Sequence, residues 1–85
     1  MVTDQSPLLA AYAKVLRRRR KEAGLSQEEL AARAELSMRY VSLLESRKHQ
    51  PSLAIMKALA DVLGVTLTEM IAEAEGGGEP GDHTL

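Results

Sequence analysis

The stretch from Gly24 to Lys48 constrains the fold of this chain more than any other. Ser26 followed three residues later by Glu29 forms a capping box, the sequence signature of a helix N-terminus. The signature stands directly before a run with helical hydrophobic spacing. It therefore predicts a short helix from about Gln27 to Ala34.

The same device recurs eleven residues later in the chain. Ser37 is a second N-cap and predicts a helix from about Met38 to Ser46, although Tyr40 replaces the acidic partner of the capping box. Only Glu35 and Leu36 remain to turn the corner between the two helices. Two helices joined by a turn of about three residues form a helix-turn-helix, which commonly places its second helix in the DNA major groove.

Three further helices are predicted around this motif from their start and stop signals. Serine or threonine caps begin each of them, and glycine ends the first and the fourth. Apolar residues recur at helical spacing, so the sequence predicts that Leu8 and Leu53 face the core with the other members of their stripes. The predicted helices run from Pro7 to Ala23, from Leu53 to Leu63, and from just after Thr66 to about Glu75.

Composition agrees with an all-α fold. The chain has no Phe, Trp or Cys and only two Tyr, so its core must consist of aliphatic side chains, methionine and alanine. We expect a compact five-helix domain over residues 7–75, a flexible arm over 1–6 and a disordered acidic tail over 76–85. No apolar run reaches membrane-spanning length and the first residues lack the basic start of a signal peptide, so a cytoplasmic protein without membrane contact is expected.

Charge is divided unevenly along the chain. Residues 1–57 hold all eleven basic side chains and six acids, whereas residues 58–85 hold six acids and no base. The five side chains of the basic run from Arg17 to Lys21 point in directions that cover most of the circumference of the first helix. At least one of these side chains must therefore face inward or lie along the seam between helices, and outward cations such as Arg17 could bind phosphates. An ordinary solvated basic face explains this run equally well.

The segment from Leu16 to Ile71 resembles the Cro and lambda-repressor type of helix-turn-helix domain, also called the XRE family. The matching residues stand in register through the motif and the two helices after it. They are Arg20-x-x-x-Gly24-Leu25-Ser26-Gln27-x-x-Leu30-Ala31, Tyr40-Val41-Ser42-x-Leu44-Glu45, Pro51-Ser52-Leu53 and Ala60-Asp61-x-Leu63-Gly64-Val65. The resemblance implies binding to operator DNA, commonly as a two-fold dimer.

The resemblance also implies roles for individual residues. Positions that face base edges or adjacent phosphates correspond to Ser37, Met38, Arg39 and Ser42, which we take as the candidate base-reading residues. Positions that touch phosphate correspond to Gln27, Tyr40, Arg47 and Lys48. Arg39 is the best candidate for reading a base, because its guanidinium can pair with O6 and N7 of guanine. For Tyr40, a packing role with a solvated hydroxyl is an equal alternative.

Arg20 and Glu45 match positions that form a structural ion pair between the first and third helices. The sequence departs from the family pattern at three places. Glu35 stands where the turn often has glycine, Leu43 where a basic or polar residue is frequent, and Arg47 where a glycine is common.

These observations favour a dimeric DNA-binding transcription regulator, a small repressor or controller protein that acts on a palindromic operator. Excess apolar surface on the fifth helix predicts the dimer interface, and the alternative for these residues is packing onto the first and fourth helices. The predicted interface residues are Val65, Leu67, Met70 and Ile71. A protein-interaction module or antitoxin-like adaptor, working through the fifth helix or Leu43, remains the alternative function.

An enzyme is disfavoured by the sequence. His49 and His83 are the only histidines, and no metal-binding, phosphate-loop or nucleophile motif accompanies them. We therefore expect neither a cofactor nor a metal ion, and we expect no domain for a small-molecule ligand.

Overall fold

The computed structural model describes residues 6–76 of the chain. This part is built of five α-helices. They are α1 (Pro7–Glu22), α2 (Gln27–Ala34), α3 (Met38–Glu45), α4 (Leu53–Leu63) and α5 (Leu67–Ala74). The all-α five-helix fold predicted from the sequence is confirmed, with each helix boundary within one residue of its expected position. The predicted arm and acidic tail lie outside the described residues, apart from Ser6 and Gly76.

Every helix begins with a hydroxyl side chain that accepts a hydrogen bond from the backbone N–H three residues ahead. The five caps are Ser6, Ser26, Ser37, Ser52 and Thr66. Such a cap satisfies one of the amides that a helix start leaves free, so these residues fix where each helix begins. Complete capping boxes are present at α2 and α5.

The joint between α2 and α3 depends on the backbone of Glu35. Its φ and ψ are 62° and 40°, in the left-handed region that glycine favours. This conformation lets the N–H of Leu36 reach the carbonyl of Ala31 at 2.8 Å and ends α2. Glycine is usual at this position in the family that the sequence resembles, and here the tight turn forms with glutamate in its place.

The core draws large side chains from all five helices. Its fully buried members are Leu16, Leu30, Val41, Leu44, Leu59 and Met70. The helices α1 and α5 pack against each other, α2 packs against α3 and α4, and α1 also contacts α3. The helix-turn-helix is therefore held from behind by the other helices.

Two apolar residues predicted to face the core lie outside it. Leu8 is 45% exposed and Leu53 is 71% exposed. Both stand in the first turn of their helices, at the edge of the apolar stripe, where the neighbouring helices no longer cover it. None of the helices in residues 6–76 combines the length and the apolar character needed to cross a membrane.

Candidate nucleic-acid interface

The helix α3 has two distinct faces. Val41 and Leu44 are buried on the inner face. Met38, Arg39 and Ser42 are exposed on the outer face, and the exposure of Met38 reaches 52%. A rigid helix anchored by two buried aliphatic side chains thus presents a short row of one thioether, one guanidinium and one hydroxyl to the outside.

Ser37 lies at the start of this row, although the regular spacing of a helix would put it on the inner side with Val41. The residue is exposed, and its Oγ accepts a hydrogen bond of 3.0 Å from the N–H of Tyr40. Capping requires the side chain to fold over the helix end, which removes Ser37 from the helical wheel that applies to interior positions. The four predicted base-reading residues are therefore all accessible.

A cationic turn follows α3. Arg47 has a φ of 66°, and the N–H of Lys48 donates to the carbonyl of Leu43 at 2.8 Å. This bond and the one from Arg47 N–H to the Leu44 carbonyl form the pattern that ends a helix with a left-handed residue. Arg47 and Lys48 are exposed, so two positive charges stand directly beside the end of α3.

Gln27, at the first turn of α2, is half-buried and its side chain is already engaged. Its Nε2 donates to Oε1 of Glu45 at 3.0 Å. The amide thus braces α3 from α2 while its remaining surface faces outward. Nearby, the carboxylate of Glu29 accepts the backbone N–H of Ser26 at 2.8 Å, and this bond lowers the pKa of Glu29.

The ion pair implied for Arg20 and Glu45 is present. Nε and Nη2 of Arg20 donate to the two carboxylate oxygens of Glu45 at 2.6 Å and 3.0 Å. Nη1 of Arg20 donates to the carbonyl of Leu25 at 2.9 Å. The hydrogen bonds that Arg20 donates to Glu45 raise the pKa of Arg20. With Gln27, these residues connect the ends of α1 and α3 and the start of α2 through one polar network.

The other arginines of the basic run have different surroundings. Arg17 is exposed and shares the outer face of α1 with Lys14 and Lys21. Arg18 and Arg19 both bind the carboxylate of Glu73 on α5. The sequence predicted that at least one member of the run faces inward or lies along the seam, and Arg20 is buried. It missed the link to α5, because Glu73 lies 54 residues from Arg19.

Tyr40 is half-buried and its ring meets that of His49 at a right angle. The ring centroids are 5.2 Å apart and the planes enclose 84°. His49 itself is exposed, and its Nδ1 lies 3.2 Å from the carbonyl oxygen of Lys48. Nothing local in the sequence indicates that the segment after α3 folds back onto it, so the contact between His49 and Tyr40 was not predicted.

The dimer prediction for α5 needs one correction. Met70 is completely buried in the core of the protomer, so it has no surface to offer a second copy, and its assignment to the interface was wrong. It is the inward residue of α5 and packs among the residues of the other helices. Val65, Leu67 and Ile71 are only partly buried.

Groups of three or more His, Cys, Asp or Glu side chains with the spacing of a metal site are absent from residues 6–76. The polar and charged side chains of the candidate site come from three places, namely the outer face of α3, the turn after it and the start of α2. Together they form a surface with hydrogen-bonding groups in the middle and cations at one side, which suits contact with base edges and phosphates.

Comparison with known proteins decides the family. A family model described as helix-turn-helix, HTH_3, matches residues 16–70. The chain belongs to this helix-turn-helix family. The match spans α2 and α3 with the supporting helices, and the resemblance to the Cro and lambda-repressor type is confirmed.

Individual members of the helix-turn-helix family support the same assignment. An uncharacterized HTH-type transcriptional regulator of Sinorhizobium fredii is 38% identical over 58 residues, which cover 68% of this chain and 75% of that protein. The control protein C.MunI of a Mycoplasma species is 34% identical over 62 residues, covering 73% of this chain and 84% of that protein.

Among solved structures, the clp gene regulator ClgR of C. glutamicum superposes with a TM-score of 0.78 at 28% identity, over 82% of this chain and 90% of that chain. The family match and these relatives confirm the sequence-based prediction of a DNA-binding transcriptional regulator.

Proposed function

We propose that this helix-turn-helix protein is a small homodimeric repressor or controller protein that binds a palindromic operator with α3 in the major groove. The observation that carries the proposal is the division of α3. Its inner face is held in the core by Val41 and Leu44, and its outer face presents the exposed side chains of Met38, Arg39 and Ser42, which form no hydrogen bond or ion pair within residues 6–76. A surface of this kind is built to meet another surface, and the cations after α3 indicate that the partner is negatively charged.

Each residue of the outer face has a role that its chemistry allows. The guanidinium of Arg39 reads guanine through O6 and N7, and the thioether of Met38 contacts the methyl group of thymine. Ser37 and Ser42 offer hydroxyl groups to bases or to the adjacent phosphates.

Phosphate contacts come from the rim of this surface. Arg47 and Lys48 supply charge beside the end of α3, and Tyr40 supplies its hydroxyl. Gln27 contacts the backbone of the DNA from α2 while its hydrogen bond to Glu45 holds α3 in place. Arg17, on the outer face of α1, contributes a longer-range attraction.

The dimer contact is proposed for the surface of α5. Val65, Leu67 and Ile71 are apolar and partly exposed, and a shallow depression beside them is lined by Leu67, Thr68, Ile71, Ala72 and Glu75. A two-fold axis at this surface would place two copies of α3 about 34 Å apart, one turn of DNA. As predicted from the sequence, we place this regulator in the cytoplasm and assign it no enzymatic step.

Selection of bound duplexes from a random pool tests the proposal directly. The expected result is an inverted repeat whose half-site centres lie about ten base pairs apart. Sedimentation of the protein alone should show a dimer, and Ile71→Asp should convert it to a monomer. The matched control is Ala32→Asp, which adds the same charge to an exposed position of α2, outside the proposed dimer surface. Failure to enrich any sequence, with no retention on immobilised DNA at low salt, would favour the protein-interaction module instead.

A further inference from the structure

His49 holds a position in the interface that the proposed function does not use. It is the third residue of the cationic turn Arg47-Lys48-His49, and its ring stands perpendicular to that of Tyr40. Perpendicular aromatic pairs are favourable, so the contact with a half-buried ring of α3 holds an otherwise exposed imidazole in one orientation. The ring is thus placed at the phosphate-contacting rim and fixed there.

The contact of His49 with the preceding carbonyl favours one of its two neutral tautomers. The carbonyl oxygen of Lys48 can only accept and lies 3.2 Å from Nδ1, so the tautomer that makes this hydrogen bond carries its proton on Nδ1. In that tautomer Nε2 has a lone pair and no hydrogen. A phosphate oxygen is also only an acceptor, so a ring that keeps this bond can donate to phosphate through Nε2 only with a second proton.

The charged groups nearest to His49 along the chain are cations. Arg47 and Lys48 directly precede it in the same turn. Tyr40 faces it from α3. The neighbouring ends of α1 and α4 bring no charge, because the first charged residue of α1 is Lys14 and that of α4 is Lys57. An arriving phosphate would supply the negative charge that these surroundings lack.

Resting on the proposed function, we propose that His49 is a proton-linked phosphate contact, which takes up one proton from solvent for each protomer that binds DNA. The balance is one neutral imidazole, one proton from the buffer and one DNA phosphate, giving an imidazolium whose Nε2–H bonds the phosphate oxygen. Because the bound state holds the additional proton, affinity for DNA rises as pH falls between about pH 8 and pH 6, the range in which histidine changes its charge.

The test uses a mixed-sequence duplex of about 30 base pairs, long enough for two half-sites, because a phosphate contact does not require the operator. Binding is titrated at constant ionic strength from about pH 8 to pH 6. For the wild type we expect the affinity to rise by up to about tenfold per pH unit for each His49, as one linked proton requires. Titration calorimetry in buffers of different ionisation enthalpy should report the same proton uptake.

Two substitutions at this position separate charge from shape. His49→Gln should bind more weakly near pH 6 and lose the linked proton, whereas His49→Arg should lose the pH dependence but keep tight binding at both ends of the range. His83→Gln is the matched control, since it removes the only other histidine and should leave the linkage unchanged.

Equal pH dependence in the wild type and His49→Gln would overturn the role of His49 while leaving DNA binding itself intact. Failure of every variant to bind the duplex at low salt would instead overturn the proposed function, and the role of His49 with it.

Discussion

Arg20 and Glu45 lie 25 residues apart in the sequence, and their side chains form a two-point ion pair with distances of 2.6 Å and 3.0 Å. Only 10% of the arginine side chain and 4% of the glutamate side chain are exposed. The pair fixes α1 to the last turn of α3, so it sets the position of the helix whose outer face is proposed to read DNA.

Breaking this pair should destabilise the fold strongly. We expect Glu45→Met, and likewise Arg20→Met, to lower the free energy of unfolding by about 3–5 kcal/mol, because each leaves an enclosed charge without its partner. The double variant Arg20→Met with Glu45→Met should lose much less than the sum of the single changes, since no unpaired charge remains. Urea denaturation of both single variants and the double variant measures this difference, and additive losses would argue against the pair as the cause.

Glycine at the joint should stabilise the protein. Glu35→Gly removes the steric strain of a glutamate in the left-handed conformation. Glycine also raises the entropy of the unfolded chain, which offsets part of this gain, so we expect the free energy of unfolding to rise by about 0.5–1 kcal/mol. Ala32→Gly, on the exposed side of α2, is the control and should cost about 1 kcal/mol. Thermal melting distinguishes the two, and a loss of stability in Glu35→Gly would mean that the glutamate side chain supports the turn.

The link between α1 and α5 should depend on pH. Hydrogen bonds from Arg19 and then Arg18 lower the pKa of Glu73, so its ionised form is favoured in the folded protein. The stabilisation is fully present above the pKa of an unfolded glutamate, about 4.3, and is lost as the pH falls through the lower folded value. We expect the wild type to exceed Glu73→Gln by about 1 kcal/mol at pH 7 and to lose this advantage in acid. Glu75→Gln, on an exposed residue after α5, serves as control; a constant advantage at every pH would contradict the prediction.

The Tyr12 hydroxyl should be dispensable. The residue is 3% exposed, and its oxygen has no hydrogen-bond partner among residues 6–76, while burial raises the pKa of the phenol. Removing a buried hydroxyl that makes no bond costs nothing in lost interactions, so Tyr12→Phe should keep the free energy of unfolding or raise it by up to about 1 kcal/mol. The half-buried Tyr40→Phe is the comparison in the same denaturation experiment. A loss of about 1 kcal/mol or more in Tyr12→Phe would reveal a partner outside the described residues.

Mutations should distinguish residues that read the base sequence from residues that contact the phosphate backbone. Arg39→Ala should cost about 1–3 kcal/mol on the selected operator and relax the preference at one position of each half-site. Lys48→Ala should weaken binding to all sequences alike and reduce the slope of affinity against salt by about one. Gel-shift titration at several salt concentrations compares them, and an unchanged operator preference in Arg39→Ala would remove this residue from the proposed reading face.

Sequence alone was sufficient wherever the controlling interaction is local. Caps such as Ser26 bind amides three residues away, so the limits of the helices could be predicted from residues close together in the sequence. Buried and exposed positions along α3 repeat with every turn, so its outer face could be predicted in the same way. The resemblance then supplied one distant contact, between Arg20 and Glu45, that no local pattern contains.

Tertiary structure alone decided the contacts that join distant segments. Met70 looked available for a dimer because helical spacing does not say which apolar residues of α5 the other helices cover. The bonds of Glu73 to Arg18 and Arg19, and the meeting of Tyr40 with His49, arise because packing brings together surfaces that the chain separates. Local hydrogen bonding fixes the elements, whereas the burial of their apolar faces against one another fixes which side chains remain to act.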